Sequence, residues 1–331
     1  MNNIAVNALS DKLLALIRRR SGHAYTLGYI LGKLKCTNKE LALAVKLLRQ
    51  SGYKVSRTKK GTIAFTSAPD FLYANEIYHG LTTKFMGRIV HAYKKVQSTN
   101  TIASQLASAD APEGTIVIAE EQTRGRGRLG RQWYSTEGFG IYLSMIVYPK
   151  IDPMHAPGLS ILTAVSLADT ISGYDDLDVK IKWPNDCLIN GRKVAGILTE
   201  LSSDLDHVHR AVIGIGININ HRRRDFPEDI RKRATSLRAE MKETIHRVEF
   251  LQSFLRHFEK DYVAFRKNGL MAFRKRIIDY SLLIGNRITL DYKGTRFTGK
   301  AIDIHETGGL ILELPEGNRV FTAGEVTVVK A

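Results

Sequence analysis

Only two cysteines occur in 331 residues, Cys36 and Cys187, far apart and in no CxxC pair. That scarcity excludes a disulfide framework, argues against structural zinc, and fits a reducing, cytoplasmic setting. No run approaches the roughly 18 apolar residues needed to span a bilayer, so no membrane role is expected. No secretory leader is expected either: in MNNIAVNALSDKLLALIRRR the basic run follows the apolar stretch, the reverse of a signal peptide. Internal repeats and low-complexity tracts are absent. The composition, 44% hydrophobic and 25% charged, is that of a soluble globular chain long enough for two or three domains.

Acids are scarce in one region. Residues 1–66 hold 13 Lys/Arg but only Asp11 and Glu40, a net of +11, whereas 67–331 hold 36 against 31, a net of +5. A basic head in front of a near-balanced body suggests polyanion binding by the head. In the head, residues 11–20 read as a short amphipathic helix with Leu13, Leu14, Leu16 and Ile17 inward, and a second segment follows around 26–34. CTNKELALAVKLLRQSG then carries a capping box, Thr37 with Glu40, and a glycine stop at Gly52. Leu41, Val45 and Leu48 form its apolar stripe; Lys39, Lys46 and Arg49 lie opposite. YKVSRTKKGTIAFT reads as two short strands around a basic turn. This order predicts a winged helix-turn-helix over 1–66. Lys39, Lys46 and Arg49 would face the major groove, and Lys54, Arg57, Lys59 and Lys60 would meet phosphates. No Asn or Gln stands among the central face positions, so the pattern supports affinity for DNA better than base readout. Ser67–Asp70 is turn-like, and 67–92 is expected to be a linker.

From 93 onward, strand-like and helix-like stretches alternate, which predicts an α+β body with a mixed sheet over 93–278. Ser98, Thr99 and Asn100 are placed to cap a helix at 101–109. Residues 157–172 read as a helix with a proline start, Asn190-Gly191 as a hairpin turn, and 246–267 as a charged amphipathic helix. The tail, 279–331, reads as a small separate β-barrel of short strands with glycine turns.

EEQTRGRGRLGRQW, residues 120–133, packs four arginines and three glycines into positions 124–131. The spacing of Gly125, Gly127 and Gly130 matches a dinucleotide fingerprint, but no helix starts at Gly130, so that reading fails on context. Gly125 and Gly130 have P-loop spacing, yet Arg131-Gln132 stands where Lys-Ser/Thr is needed. What remains is a glycine loop whose backbone can approach an anion while Arg126, Arg128 and Arg131 supply charge. Three other stretches point to the same chemistry. KWPND carries Lys182 and Asp186, with Lys180 just before it. Lys193 follows the hairpin turn, where Ala195 and Gly196 leave room. In VIGIGININ a period of two puts Gly214, Gly216, Asn218 and Asn220 on one face, which can line a ligand pocket but not a core.

At GRGRLGR, KWPND and RKVAGIL, in that order, the chain resembles the biotin protein ligases, and with its basic head the bifunctional members that are also biotin operon repressors. The resemblance implies a winged-helix head, a catalytic body of the biotin/lipoate ligase type and an SH3-like C-terminal barrel. It implies a two-step reaction: biotin and ATP, with Mg2+, give biotinyl-5′-AMP, and a lysine of a biotin carboxyl carrier domain then takes the biotin. Ser98, Thr99, Asn100 and Gln122 match biotin-binding positions, and Gly125, Arg126, Gly127 and Arg128 match the loop that closes over biotin and adenylate. Lys193 matches the lysine at the reacting carboxylate, so Lys193, Arg128 and Asp186 are the candidate catalytic residues. Asp186 would orient Lys193, polarise the amine or help a metal. Asn218, with Arg131, falls to the adenylate side, and 225–237 resembles the segment that orders over adenine. DNA of biotin genes and a ligand-linked homodimer are implied too. A lipoate or octanoate ligase, and a ligand sensor without catalysis, are the competing readings.

Overall fold

The computed structural model describes residues 3–18, 23–58, 61–174, 177–204 and 206–329, in two compact units that meet in sequence at Phe71 and Leu72. The first unit runs α1 (Asn3–Arg18), β1 (Ala24–Thr26), α2 (Leu27–Leu34), α3 (Asn38–Gln50), β2 (Lys54–Arg57) and β3 (Thr62–Ser67). The first helix begins at Asn3 rather than near residue 11, and β1 was not foreseen. That three-residue strand exists because β3 offers it an antiparallel edge, giving the order β1-β3-β2. The α3 capping box closes in both directions: Glu40 N–H donates to the Thr37 hydroxyl at 3.3 Å, and Thr37 N–H donates to the Glu40 carboxylate at 2.7 Å. Gly52, at φ 89°, ends the helix where a side chain would be strained. Leu13, Leu16 and Ile17 of α1 pack with Leu41, Val45 and Leu48 of α3 and with Ile63 and Phe65 of the sheet.

The second unit begins with α4 (Ala74–Tyr78), β4 (Val90–Val96), α5 (Thr99–Ser108), β5 (Ile116–Gln122) and β6 (Gly140–Val147). It continues through α6 (Pro157–Ser172), β7 (Val179–Lys182), β8 (Asp186–Ile189), β9 (Arg192–Ser203) and β10 (Val208–Asn218). The helices α7 (Glu228–Arg231), α8 (Leu237–Met241), α9 (Arg247–Asn268) and α10 (Arg274–Tyr280) follow. Seven strands form one mixed sheet, β4-β5-β6-β10-β9-β8-β7, in which only β4 and β5 are parallel. A parallel pair needs a crossover, and α5 is that crossover. Asn190 and Gly191, both at positive φ, close the β8–β9 hairpin.

The sheet has two unlike faces. Ile141, Leu143, Met145 and Val147 of β6 join Ala211, Ile213, Ile215 and Ile217 of β10 in the main core under α6 and α9. The alternate residues turn to the side of α5, where Ala103, Ala107, Val117, Ile146 and Val212 make a small second core.

Two expectations about boundaries need correction. Residues 72–92 are not a free linker. Leu72, Ile77, Leu81 and Met86 belong to the main core, and the Glu259 carboxylate accepts the N–H groups of Lys84, Phe85 and Met86 at 2.6–2.8 Å. Nor is the tail packed separately. Its strands β11 (Arg287–Tyr292), β12 (Thr295–Ile304), β13 (Leu310–Leu314), β14 (Gly317–Phe321) and β15 (Glu325–Val328) form an antiparallel sheet, β14-β13-β12-β11-β15. Its apolar residues Ile288, Leu290, Leu312 and Phe321 continue the same core, because the tail alone is too small to bury them fully. Among the described residues no helix is long and apolar enough to cross a membrane.

Candidate active site

The face of β10 that carries Gly214, Gly216 and Asn218 looks into a cavity of about 790 Å³. Neither glycine has a positive φ; each is required by what lies against it. A Cβ on Gly214 would sit 2.0 Å from Asn100 Oδ1, and one on Gly216 2.2 Å from the Trp133 indole. The strand therefore gives up two side chains so that a polar residue of α5 and an aromatic residue of the arginine loop can reach its backbone.

At the start of α5 the expected capping differs. Ser98 holds the N-cap position without a side-chain cap bond; Gln122 takes the role, its Oε1 accepting the Thr99 N–H at 2.9 Å and the Thr99 hydroxyl at 3.1 Å. Strand β5 thus orients the helix terminus. Gln122 in turn donates to Ser135 Oγ at 3.0 Å. Asn100 is fixed at both ends: Ser144 Oγ donates to its Oδ1 at 2.6 Å, and its Nδ2 donates to Glu200 at 2.8 Å.

The arginine loop folds back on itself, with Gly127 N–H donating to Arg131 O at 2.7 Å and Trp133 N–H to Gly125 O at 2.9 Å. Each arginine of the expected site finds its own anchor. Arg126 meets Glu200 on β9 at 3.1 Å, Arg128 donates to Asn185 Oδ1 at 3.1 Å, and Arg131 forms an ion pair with Glu325 on β15. Leu129 stands exposed at the tip with φ 56°. Burial pulls the Arg128 guanidinium below its ordinary pKa, while Asp186 and Glu325 act in the opposite sense. KWPND presents Asn185 after a cis Trp183–Pro184 bond, and the Trp183 indole N–H donates to Gly308 O at 2.9 Å.

Lys193 Nζ lies 2.7 Å from Asp186 Oδ1 and 5.3 Å from the Trp133 ring centroid. Gly196 makes room for it, since a Cβ there would approach Lys193 Cε to 2.9 Å. The 225–237 segment is stitched along β9: Lys193 N–H donates to Arg233 O at 2.8 Å and Thr235 N–H to Lys193 O at 2.9 Å. Asn218 Nδ2 donates to Thr235 O at 3.0 Å, tying the segment to β10 as well.

Among the expected biotin positions, Ser98, Thr99, Asn100, Gln122 and Gly127 line this one cavity. Arg126, Arg128, Arg131, Asp186, Lys193 and Asn218 line it too. Three residues do not. Gly125 lies behind the wall, where it lets the two arms of the loop approach: a Cβ would be 2.6 Å from Trp133 O. Lys180 is turned to Asp178, at 3.3 Å. Asn220 clamps the backbone of Ile245 through its Oδ1 and Nδ2 at 3.0 and 2.9 Å. The sequence reading missed Trp133, Glu200 and Glu325. Trp133 carried a signal, as one of only two tryptophans, directly after the loop. Among the described residues no cluster of three or more His, Cys, Asp or Glu side chains could hold a metal unaided.

On the first unit, Lys39, Lys46, Arg49, Lys54 and Arg57 are exposed, and Lys46, Arg49 and Arg57 border one shallow cleft. Arg49 also has a structural task, its Nε donating to Val55 O at 2.9 Å. Lys59 and Lys60 lie outside the described residues.

Comparison with known proteins agrees with this geometry. Residues 92–218 match the biotin/lipoate A/B protein ligase family, and 283–329 match the biotin protein ligase C terminal domain. The bifunctional ligase/repressor BirA of Bacillus subtilis is 37% identical over 291 residues, 88% of this chain and 90% of that protein. BirA of Escherichia coli is 28% identical over 98% of both chains. Among solved structures, the biotin protein ligase of Aquifex aeolicus in complex with biotin and ATP superposes with a TM-score of 0.63 at 30% identity, covering 74% of this chain and all of that one. The chain belongs to the biotin protein ligase family.

Proposed function

We propose that this chain joins biotin to ATP in the 790 Å³ cavity, giving biotinyl-5′-AMP and pyrophosphate, and then passes the biotin to a lysine of a carrier domain of the acetyl-CoA carboxylase type. The observation that carries the reading is the convergence, in one cavity, of Lys193, Arg128 and Asp186 with the polar α5 terminus. The match to a biotin protein ligase C-terminal domain favours biotin over lipoate or octanoate.

In the first step a carboxylate oxygen of biotin attacks the α-phosphorus of ATP, and the bond to the β-phosphate oxygen breaks. Two anions must meet, so cationic groups placed beforehand lower the barrier most. Lys193 and Arg128 fill that role, with Asp186 fixing the position of Lys193. Thr99, Asn100 and Gln122 would hold the ring end of biotin; Arg126 and Gly127 would cover it. Arg131, Asn218 and the 225–237 segment would flank the adenylate. Asp186 or Asn218 would be the protein contact for Mg2+ entering with ATP, and the ion would offset the phosphate charge. The closed loop keeps water from the mixed anhydride. In the second step the amine of the carrier lysine attacks the acyl carbon, AMP leaves with the bonding electrons, and the amine loses a proton.

The first unit is proposed to be a winged helix-turn-helix that binds the operator of biotin genes, with α3 and the β2–β3 turn as the contact elements. Lys39, Lys46, Arg49 and Arg57, on a unit of net charge +11 within residues 1–66, support it. Strand β4, the outer strand at one end of the sheet, is a candidate edge for the carrier or for a second copy in a ligand-linked homodimer. The C-terminal sheet is read as an SH3-like barrel. Pyrophosphate release with MgATP tests the enzyme, comparing biotin, lipoate and octanoate with and without a carrier domain. Biotin-dependent release with a biotinylated carrier lysine is the expected outcome. Turnover with lipoate alone, or with no acid, would overturn the reading.

A further inference from the structure

We infer that Glu200 is a positioning residue that holds the arginine loop shut over the cavity and sets the orientation of Asn100. This rests on the ligase reading only for its consequence in the reaction; the latch itself is a matter of contacts. Strand β9 pairs with β10 so that Gly196, Leu198 and Glu200 stand opposite Gly216, Gly214 and Val212. Glu200 therefore shares the cavity face, two residues beyond Leu198, where the strand passes the N-terminal turn of α5.

One carboxylate there collects two donors from different elements. Asn100 Nδ2, on α5, donates to Oε2 at 2.8 Å, and Arg126 Nη2, on the loop, lies 3.1 Å from the carboxylate. Thr101 Oγ1 is a second, longer partner of Arg126 at 3.5 Å. Asn100 has little freedom: Ser144 holds its Oδ1, the Leu198 carbonyl is only a longer second acceptor for its Nδ2 at 3.4 Å, and the backbone of Gly214 lies directly behind it. The amide is thus read out in one orientation, Nδ2 toward Glu200 and Oδ1 toward Ser144. The loop needs such an anchor. Arg124, Arg126, Arg128 and Arg131 repel one another, and three glycines leave the backbone free to open. Among the other side chains that hold the loop's arginines, Thr101 and Asn185 are neutral and Glu325 belongs to the C-terminal sheet. Glu200 is the carboxylate that ties the loop to the helix terminus assigned to biotin.

Glu200→Gln keeps the size and an acceptor for Asn100 but removes the charge that holds Arg126. Trypsin provides the first readout, because an open loop exposes Arg124, Arg126, Arg128 and Arg131 to cleavage without any ligand. We expect loop cleavage to be roughly fivefold faster in Glu200→Gln, the most that a half-exposed charge pair is worth, with a melting temperature lowered by no more than a few degrees. Biotinyl-5′-AMP should dissociate faster by a similar factor, and the KM for biotin should rise more than kcat falls. Glu200→Asp, which restores the charge on a shorter stem, should recover part of both effects. The double variant Glu200→Gln/Arg126→Met decides whether Glu200 acts through Arg126: it should lose adenylate no faster than Arg126→Met alone. Wild-type cleavage in Glu200→Gln, or additive losses in the double variant, would overturn the inference. Cleavage is measured without substrates, so a chain that failed to use biotin would sink the ligase reading and leave the latch to stand or fall on its own.

Discussion

Gly214→Ala isolates the close approach of α5 to the sheet. The backbone at Gly214 is ordinary strand, so alanine brings no strain there, and by narrowing the unfolded ensemble it would add about 0.4–1 kcal/mol of stability. The loss comes from the new methyl alone, which would start 2.0 Å from Asn100 Oδ1 and 2.7 Å from its Cγ. Asn100 cannot yield without breaking its bond from Ser144 at 2.6 Å and its bond to the Glu200 carboxylate at 2.8 Å. A neutral bond is worth about 1 kcal/mol and one to a charged group about 1.5–3 kcal/mol. After the alanine gain is subtracted, the expected net cost is about 2–3 kcal/mol. For a unit of this size that lowers the melting temperature by roughly 5–10 °C. The KM for biotin should rise at least about tenfold, since the displaced amide belongs to the terminus proposed to hold biotin. Thermal unfolding and pyrophosphate release check the two parts separately. Gly173→Ala is the control: its φ is −76° and its nearest neighbour, Thr170 O, lies 3.4 Å from the added Cβ, so little should change. A Gly214→Ala protein with the wild-type melting temperature and KM would refute the reasoning, because the added methyl would have met no cost.

Arg128→Gly should lose adenylate at least about tenfold faster and label lysines outside the carrier domain, because a charge-assisted contact is worth about 1.5–3 kcal/mol; unchanged carrier selectivity would contradict it. Arg247→Met should cost about 3–5 kcal/mol, since it strands the Glu120 carboxylate, 5% exposed and 2.7 Å from the lost guanidinium. Adding Glu120→Gln should return much of that loss, and a melting temperature unaffected by either change would count against it. His221 is fully buried among Phe139, Phe226 and Tyr134, stacked on Phe226 at 4.9 Å, and burial lowers its pKa to about 4, with Arg247 acting in the same sense and Asp225 against it. Its folded pKa is below the unfolded value near 6.5, so its contribution is intact above pH 6.5 and declines as the pH falls toward 4, by about 3 kcal/mol in all. His221→Phe should therefore flatten the stability–pH curve between pH 6.5 and 4 relative to wild type; identical curves would rule this out.

The parts legible in the sequence are those governed by short-range periodicity. Alternation along 211–218 separates the isoleucines from the Gly, Gly and Asn, and the structure divides them the same way: Ile213, Ile215 and Ile217 join the main core, while Gly214, Gly216 and Asn218 line the cavity. The helix 157–172 has the expected ends because Pro157 starts it and Gly173 follows it. Asn190-Gly191 dictates its turn through positive φ. What could not be read depends on partners far along the chain. Residues 72–92 look like a connector until Gln252 donates to their backbone carbonyls and Glu259 accepts their backbone N–H groups, from more than 170 positions later. Lys180 and Lys182 share a face of β7, but two residues of strand, about 6.6 Å, carry Lys180 past the end of the cavity to Asp178. Trp133 matters because Gly216, 83 positions on, has no Cβ, and local pattern carries no trace of that pairing.

The same long-range placement decides which cation is free for chemistry. Two of the loop's arginines meet carboxylates, Arg126 at Glu200 and Arg131 at Glu325, so their charges are largely spent on holding the loop. Arg128 is instead held by the neutral amide of Asn185, which fixes its direction without cancelling its charge. Asn185 is itself braced by Ile197 O at 2.7 Å, so the guanidinium is aimed from a rigid strand. It is also half-buried, where water screens it less than it would at the surface. Across the cavity Lys193 carries a second positive charge, shared with Asp186 at 2.7 Å. The two cations and one carboxylate leave a net positive field with fixed geometry before any anion arrives, which is the condition for stabilising charge that develops between a carboxylate and a phosphate. Arg126, Arg128 and Arg131 therefore divide their work in the proposed reaction: the two with acidic partners close the site, and the one with a neutral partner is left to act in it.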